Sequence, residues 1–198
     1  MPQPTRWVTE TKPGHSRWYV ERFRTMAAQG VDLVGEARLI DAMVPRGARI
    51  LDAGCGPGRH AAYLDALGHT VVGVDADPVL IAAAAEDHPG PRWLVADLSE
   101  LDLAAAGEAP FDAILLAGNV MVFLAPDTEA AVLRRLAAHL APEGFVAVGF
   151  HTDRELAVAD FDAAVAESEL RLEHRFATWD LRAWHEHADF AVSILRHR

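Results

Sequence analysis

The chain has 198 residues, a single cysteine and a formal net charge of -11 at pH 7. This length suits one domain with its own buried core, and the lone Cys55 excludes an intramolecular disulfide and favours a reducing compartment. So negative a charge opposes non-specific attraction to phosphate backbones, and no apolar run is long enough to span a membrane. We therefore expect a cytoplasmic protein, monomeric or homodimeric, with no nucleic-acid or membrane partner.

The N-terminal part of the sequence predicts two helices after a loose start. Residues 1–15 are polar and carry turn-forming residues, so they should be unstructured or loosely packed. Ser16 can cap a helix whose aromatic residues recur at helical spacing, and a second helix is predicted over 32–43. Both helices precede the first strand pattern of the chain.

Strand and helix patterns then alternate along the chain. Short apolar runs predict strands at 49–53, 70–75, 92–96, 111–117 and 145–150. Helical spacing predicts helices at 59–67, 78–87 and through 133–140, with a weaker one at 157–168. Two further strand patterns, 170–179 and 189–196, are joined by a short connector, so they should pair as an antiparallel hairpin. The sequence thus predicts an α/β protein with a mostly parallel sheet, an antiparallel last strand and helices on both faces.

A glycine-rich turn follows the first predicted strand. Gly54, Gly56 and Gly58 alternate directly after an apolar run that ends in Asp52 and Ala53. A ligand can press on the main chain only where no Cβ intervenes, so these glycines indicate a nucleotide-type cofactor turn. Asp52 adds a carboxylate at the mouth of the strand.

Acidic residues stand at the ends of the first three predicted strands: Asp52, Asp75 and Asp97. Ligands of open α/β sheets bind at this edge. Asp75 follows Gly54 by about 20 residues, the spacing at which an acidic side chain accepts the hydroxyls of an adenosine ribose. Asp97 is placed to accept a hydrogen bond from an adenine amino group.

Two residues of the turn disfavour a dinucleotide. The third glycine of a G-x-G-x-x-G motif would fall at position 59, which is arginine. Pro57 has no N–H, so the turn lacks one donor for a pyrophosphate. An oxidoreductase that binds NAD or another adenine nucleotide remains the alternative of a different class, and a cofactor without phosphates is preferred.

With these motifs in place, the sequence resembles the class I S-adenosylmethionine-dependent methyltransferases from about residue 32 to the C-terminus. The stretch 51–58 matches the first motif of the family, and Asp75 matches its ribose-binding acid. Asp97 matches the adenine-contacting acid, and 117–121 matches the segment after the fourth strand. The resemblance implies a Rossmann-like, doubly wound sheet of seven strands.

The resemblance also implies the cofactor, S-adenosylmethionine, with S-adenosylhomocysteine as product. Gly54 and Gly56 would face its methionine part. Asp75 would face the ribose, and Asp97 with Leu98 the adenine. The expected cofactor contacts, the last two near the sulfonium, are Asp52, Gly54, Cys55, Gly56, Asp75, Ala76, Asp97, Leu98, Asn119 and Val120.

On the acceptor side, related enzymes carry a helical lid. Residues 1–30 are therefore expected to form an N-terminal extension and lid helix, and 31–198 a single methyltransferase domain. His151 ends the fifth strand beside the acceptor cleft and is the candidate general base. No metal site is expected, because the pair His185 and His187 has no third ligand nearby. The expected wall of the substrate pocket is Trp18, Tyr19, Met121 and Phe123.

The predicted activity is in-line methyl transfer to a small molecule, since no inserted domain follows the fifth strand to receive a macromolecule. Proximity and desolvation would supply most of the catalysis. Arg22 or Arg24 is predicted to meet the carboxylate of the cofactor through a bidentate contact. A non-catalytic relative that binds the cofactor for regulation or structure is the further alternative.

Overall fold

The computed structural model describes residues 3–198. Helices and strands alternate through most of this range, as the periodicity predicts. The helices are α1 Arg6–Thr9, α2 His15–Ala28, α3 Gly35–Met43, α4 Arg59–Ala66, α5 Pro78–Asp87, α6 Val120–Phe123, α7 Glu129–His139 and α8 Val158–Ala166. The strands are β1 Arg49–Ala53, β2 Thr70–Asp75, β3 Arg92–Val95, β4 Phe111–Leu116, β5 Leu140–His151, β6 Leu170–Phe176 and β7 Phe190–His197, with a 3-10 turn at Leu98–Glu100.

All seven strands form one sheet in the order β3-β2-β1-β4-β5-β7-β6. The pairs from β3 to β5 are parallel, whereas β7 runs antiparallel to both β5 and β6. The predicted mixed, doubly wound sheet with an antiparallel last strand is confirmed. The order reverses between β1 and β4, and this switch point opens a crevice at the carboxyl ends of the strands.

Alternate residues of the strands supply two cores, one on each face of the sheet. Leu51 and Ile114 pack with Leu136 of α7 on one face. Ile50 packs with Leu64 of α4 on the other. Each of these side chains is fully buried, and burial of a leucine or isoleucine contributes about 1.5–3 kcal/mol. This two-sided packing fixes the strand ends, and therefore the residues that follow them.

The predicted helix through residue 140 ends one residue earlier, at His139. Leu140 already pairs with Phe111 of β4, and the register shifts before Ala113 pairs with Phe145. A Cβ on Gly144 would lie 2.9 Å from the carbonyl oxygen of Phe111, so the glycine allows the irregular strand to pass close to β4. Strand β5 is accordingly longer than the apolar run alone indicates.

The prediction of a loose start over residues 1–15 is wrong for Arg6–Thr9, which form the short helix α1. Helix α1 docks through Trp7, whose ring centroid lies 5.2 Å from that of Tyr19 and 5.4 Å from that of Phe123. Trp7 Nε1 also donates to Asp77 Oδ2 at 2.9 Å. Ser16 does not cap α2, because its hydroxyl donates to Asp77 as well. Distant contacts therefore order a segment whose local sequence favours turns.

Candidate functional site

The turn after β1 uses its three glycines in different ways. A Cβ on Gly54 would lie 2.6 Å from Val120 Cγ1, and one on Gly58 would lie 3.0 Å from a Trp93 ring carbon. Both positions therefore make room for side chains of the protein itself. A Cβ on Gly56, where φ is +55°, would meet only the Tyr19 ring at 3.8 Å. Gly56 thus leaves the main chain open toward the cleft.

Two carboxylates each accept a backbone N–H, one from the turn and one from the helix that follows it. Asp75 Oδ2 accepts from the Gly56 N–H at 2.9 Å. Asp52 Oδ2 accepts from the Ala61 N–H, in the first turn of α4, at 3.1 Å. A pyrophosphate would need such donors and would be repelled by these negative charges, whereas a cationic ligand would be attracted. The geometry thus agrees with the argument from Pro57 against a dinucleotide.

Burial perturbs both acids. Asp52 is fully buried, and burial raises its pKa. Burial also raises the pKa of Asp75 to about 6, although the Asp77 and Gly56 N–H groups that donate to it act in the opposite direction. A ligand that donates hydrogen bonds or brings positive charge would therefore relieve an unfavourable burial of charge at this position.

Asp97 begins the 3-10 turn after β3. Its Oδ1 accepts from both the N–H and the hydroxyl of Ser99, each at 2.8 Å. These bonds fix the carboxylate at the edge of the sheet, where Asp97, Leu98 and Ala76 all line the cleft. The third predicted acid is thus held by its own loop in a defined orientation.

A cleft with a cavity volume of about 90 Å³, open to solvent on one side, lies beside the turn. Several of the predicted site residues line it: Tyr19, Gly54, Cys55, Gly56, Asp75, Ala76, Asp97, Leu98, Val120 and Phe123. Other residues line it that sequence reasoning missed: Thr5, Trp7, Arg59, His60, Leu80, Ala117, Gly118 and Leu124. The cleft therefore joins the strand ends to the N-terminal helices.

The structure does not bring every predicted residue to this cleft. Asp52 lies beneath the turn and holds α4. Met121 is fully buried in the core, and Trp18 is 55% exposed on the surface of α2. Asn119 Oδ1 accepts from the His151 N–H at 2.8 Å, so this amide ties α6 to β5.

His151 lies outside the cleft. Its Nδ1 is 3.2 Å from the carbonyl oxygen of Asp189, and its ring stands edge-on to Phe190 at 4.9 Å between centroids. Both partners lie at or next to the start of β7. Contacts with the start of β7 therefore fix the orientation of the His151 ring.

The cleft contains buried polar atoms without a partner. Within residues 3–198, the Thr5 hydroxyl and His60 Nε2 are buried and make no hydrogen bond, and both residues line the cleft. Unsatisfied buried polar atoms are uncommon in folded proteins, and they mark places where a ligand or water completes the structure. The sequence signal for Thr5 and Trp7 was weak, a lone aromatic in a polar stretch.

Residues 3–198 hold no group of three His, Cys, Asp or Glu side chains that could bind a metal ion. Across the same residues, no helix has the length and apolar character needed to cross a bilayer.

A doubly wound sheet with an acid-lined crevice at its switch point defines a Rossmann-like, cofactor-binding protein. Residues 50–144 match the family model described as a methyltransferase domain. The chain is 44% identical to a TehB-like SAM-dependent methyltransferase of Corynebacterium glutamicum, with a TM-score of 0.89 over 94% of this chain and 100% of that one. The chain therefore belongs to the class I S-adenosylmethionine-dependent methyltransferases, whose cofactor is S-adenosylmethionine.

Curated relatives agree with this assignment. An uncharacterized methyltransferase of Mycobacterium bovis is 42% identical over 56% of this chain and 54% of its own length. A trans-aconitate 2-methyltransferase of Azoarcus is 38% identical over 63% of this chain and 45% of its own length. The chain thus spans about half the length of the curated relatives it matches.

Proposed function

We propose that the chain transfers the methyl group of S-adenosylmethionine to a small-molecule acceptor held in the cleft between the strand ends and the N-terminal helices. The observation that carries the proposal is the crevice beside Gly56. It offers an open main chain and the carboxylates of Asp75 and Asp97, while the Gly56 N–H that could hold a phosphate already donates to Asp75. A sulfonium cofactor without phosphates matches this donor set.

The residues fit the cofactor part by part. Asp75, at the tip of β2, would accept the ribose hydroxyls. Asp97 and Leu98 would hold the adenine, and Gly54 and Gly56 the amino-acid end. Cys55, Ala76 and Val120 complete the wall on that side of the cleft. The open space at Gly56 and the buried Thr5 hydroxyl, which makes no hydrogen bond, support this fit.

The cofactor supplies an electrophilic methyl group on a good leaving group. The chain then needs to hold an acceptor atom in line and to exclude water, and such positioning is worth up to ~7–11 kcal/mol in principle. Trp7, Tyr19 and Phe123 form an aromatic cover suited to excluding water from the cleft. His151 bonds a backbone carbonyl away from this cover, so we assign it no role as a base.

A small acceptor is favoured by the way α1 and α2 cover the cleft. Residues 1–30 would act as a lid on a single domain formed by 31–198. The name of the Azoarcus relative, a trans-aconitate 2-methyltransferase, supports an acceptor of that size. Acceptor candidates are best drawn from small carboxylic acids and small aromatic molecules.

Isothermal titration calorimetry with S-adenosylhomocysteine tests the cofactor part of the proposal, with NADH as the matched control. We expect binding of the first ligand alone, and a rise in melting temperature, because a ligand at 100 times its Kd stabilises the folded state by about 2.7 kcal/mol. If millimolar S-adenosylhomocysteine produces no heat of binding and no thermal shift, the proposal is overturned.

Mass spectrometry of a panel of small acceptors with S-adenosylmethionine tests the transfer. We expect a gain of one methyl group on at least one small acceptor. Cofactor binding without any turnover would favour a non-catalytic relative, and methylation of a protein alone would contradict the small-molecule proposal.

A further inference from the structure

Arg59 introduces a positive charge into a cleft otherwise dominated by acids. Among the residues that line the described cleft, it is the one lysine or arginine. It is the first residue of α4, directly after the glycine turn, and its side chain is 18% exposed. A permanent cation at this depth, in the same cleft as Asp75 and Asp97, requires an anionic partner or a function.

Neighbouring groups fix the orientation of this guanidinium. Arg59 Nε donates to the carbonyl oxygen of Leu33 at 3.0 Å, and its plane lies over Phe23 with 4.7 Å between the guanidinium carbon and the ring centroid. The ion pair between an Arg59 terminal nitrogen and Glu36 is longer, at 3.6 Å. The backbone bond and the aromatic contact therefore hold Arg59 in place, while its terminal nitrogens remain available for a closer anion.

Glu36 contacts His60 as well as Arg59. Its other oxygen lies 3.4 Å from His60 Nε2 without forming a hydrogen bond. Burial acts to raise the pKa of Glu36, but the neighbouring His60 and Arg59 hold it low, at about 2. Glu36 is therefore ionised and is engaged between two partners. It can orient Arg59 without fully neutralising it.

Tyr19 provides a neutral donor beside Arg59. Burial raises the pKa of this phenol, although the nearby Arg59 acts in the opposite direction. The hydroxyl thus stays protonated at neutral pH. A guanidinium and a phenol O–H together form a two-donor site of the kind that carboxylates prefer.

We propose that Arg59 and Tyr19 bind the carboxylate at the amino-acid end of the cofactor, with Glu36 as the positioning residue. This inference rests on the proposed function. A free anion would be repelled by Asp75 and Asp97, so the site favours an anion delivered by a ligand that also carries positive charge and a ribose. The cofactor is such a ligand.

The two arginines suggested by the sequence lie elsewhere. Arg24 donates to Asp87 on α5 at 2.8 Å and forms a surface ion pair with Glu21. Arg22 lies over the exposed Trp18 ring, at 5.6 Å from its centroid. Neither residue lines the cleft, and Arg24 therefore provides a matched control.

The test pairs a side-chain change with a ligand change. We would measure Kd by calorimetry for S-adenosylhomocysteine and for its decarboxylated form, using the wild type, Arg59→Gln and Arg24→Gln. For Arg59→Gln we expect a loss of about 10- to 100-fold toward S-adenosylhomocysteine, because a charge-assisted bond is removed, and little loss toward the decarboxylated ligand. Arg24→Gln should bind both ligands as the wild type does.

The outcomes separate this inference from the proposed function. If the wild type binds neither ligand, the proposed function fails. If Arg59→Gln weakens both ligands equally, or if Arg24→Gln shows the selective loss instead, the assignment of Arg59 is overturned. Should Arg59→Gln fail to fold, Tyr19→Phe provides the second test: a loss confined to S-adenosylhomocysteine supports the site, and an equal loss for both ligands refutes it.

Discussion

Replacement of Asp75 by asparagine should remove the pH dependence that this carboxylate gives to protein stability, and it should weaken cofactor binding. The carboxylate accepts N–H groups from Gly56 and Asp77, each at 2.9 Å. Burial nevertheless raises its pKa from 3.8 to about 6. At neutral pH the ligand-free protein therefore buries Asp75 as a carboxylate, although burial favours its protonated form.

The pH dependence follows from that shift. Because the pKa of Asp75 is higher in the folded chain, the folded chain binds the proton more tightly, and the contribution of Asp75 to stability is greatest below about pH 4 and falls as the pH rises through 6. A shift of about two units corresponds to about 3 kcal/mol, of which about 1.4 kcal/mol falls between pH 5 and pH 7.5. Asparagine does not titrate, so the variant should gain about this much relative to the wild type over the interval.

Urea unfolding of both proteins at pH 5 and pH 7.5 measures this change, because all other titrating groups cancel in the difference. Calorimetry at pH 7.5 should show about 10- to 100-fold weaker binding of S-adenosylhomocysteine by Asp75→Asn, because the amide offers one acceptor oxygen in place of two. A stability difference that does not vary with pH would refute the argument from burial. Unchanged affinity would refute the assignment of Asp75 to the ribose.

Three further predictions concern the turn, the lid and the candidate base. In chemical denaturation, Gly58→Ala should lower the free energy of unfolding by about 2–4 kcal/mol, because its Cβ would overlap the ring of Trp93, whereas Gly68→Ala, with φ +89° but open space, should lower it by only about 1 kcal/mol. Trp7→Phe should remove about 1 kcal/mol by losing the N–H donated to an acid while keeping the ring contacts, and stopped-flow fluorescence should show faster release of S-adenosylhomocysteine. His151→Ala should lower kcat far less than the loss of about 100-fold or more that follows removal of a general base, and a loss of that size would restore the histidine as a catalytic residue.

The elements that were predictable depend on local sequence. Strand patterns and the alternation of helices were sufficient for the sheet, because each buried strand reads as a short apolar run. The start of α5 was also predictable from local sequence. Asp77 Oδ1 accepts from the Val79 N–H at 2.8 Å as the N-cap, and Pro78 is the first helical residue. Asp75 and Asp97 were found in the same way, because the ends of parallel strands meet at one edge.

Other side-chain positions depend on contacts that no local pattern encodes. Trp7 is ordered by Asp77, and Asn119 turns toward the main chain of β5. In the single turn of α6, Met121 faces the core while Phe123 faces the cleft, and two turns of sequence would be needed to distinguish those faces. In the sequence, Arg59 stood out only because it replaces the third glycine of the dinucleotide motif. Its position directly after the turn nevertheless directs its side chain into the cleft.

The buried thiol in the glycine turn offers a way to observe motion. Cys55 is the sole cysteine of the chain, its residue is only 3% exposed, and burial raises its pKa well above the ordinary value. An alkylating reagent can therefore reach a thiolate there only when the turn opens locally. The labelling rate of the unmodified protein, followed with increasing S-adenosylhomocysteine, would report how often this part of the cleft opens, without any added probe.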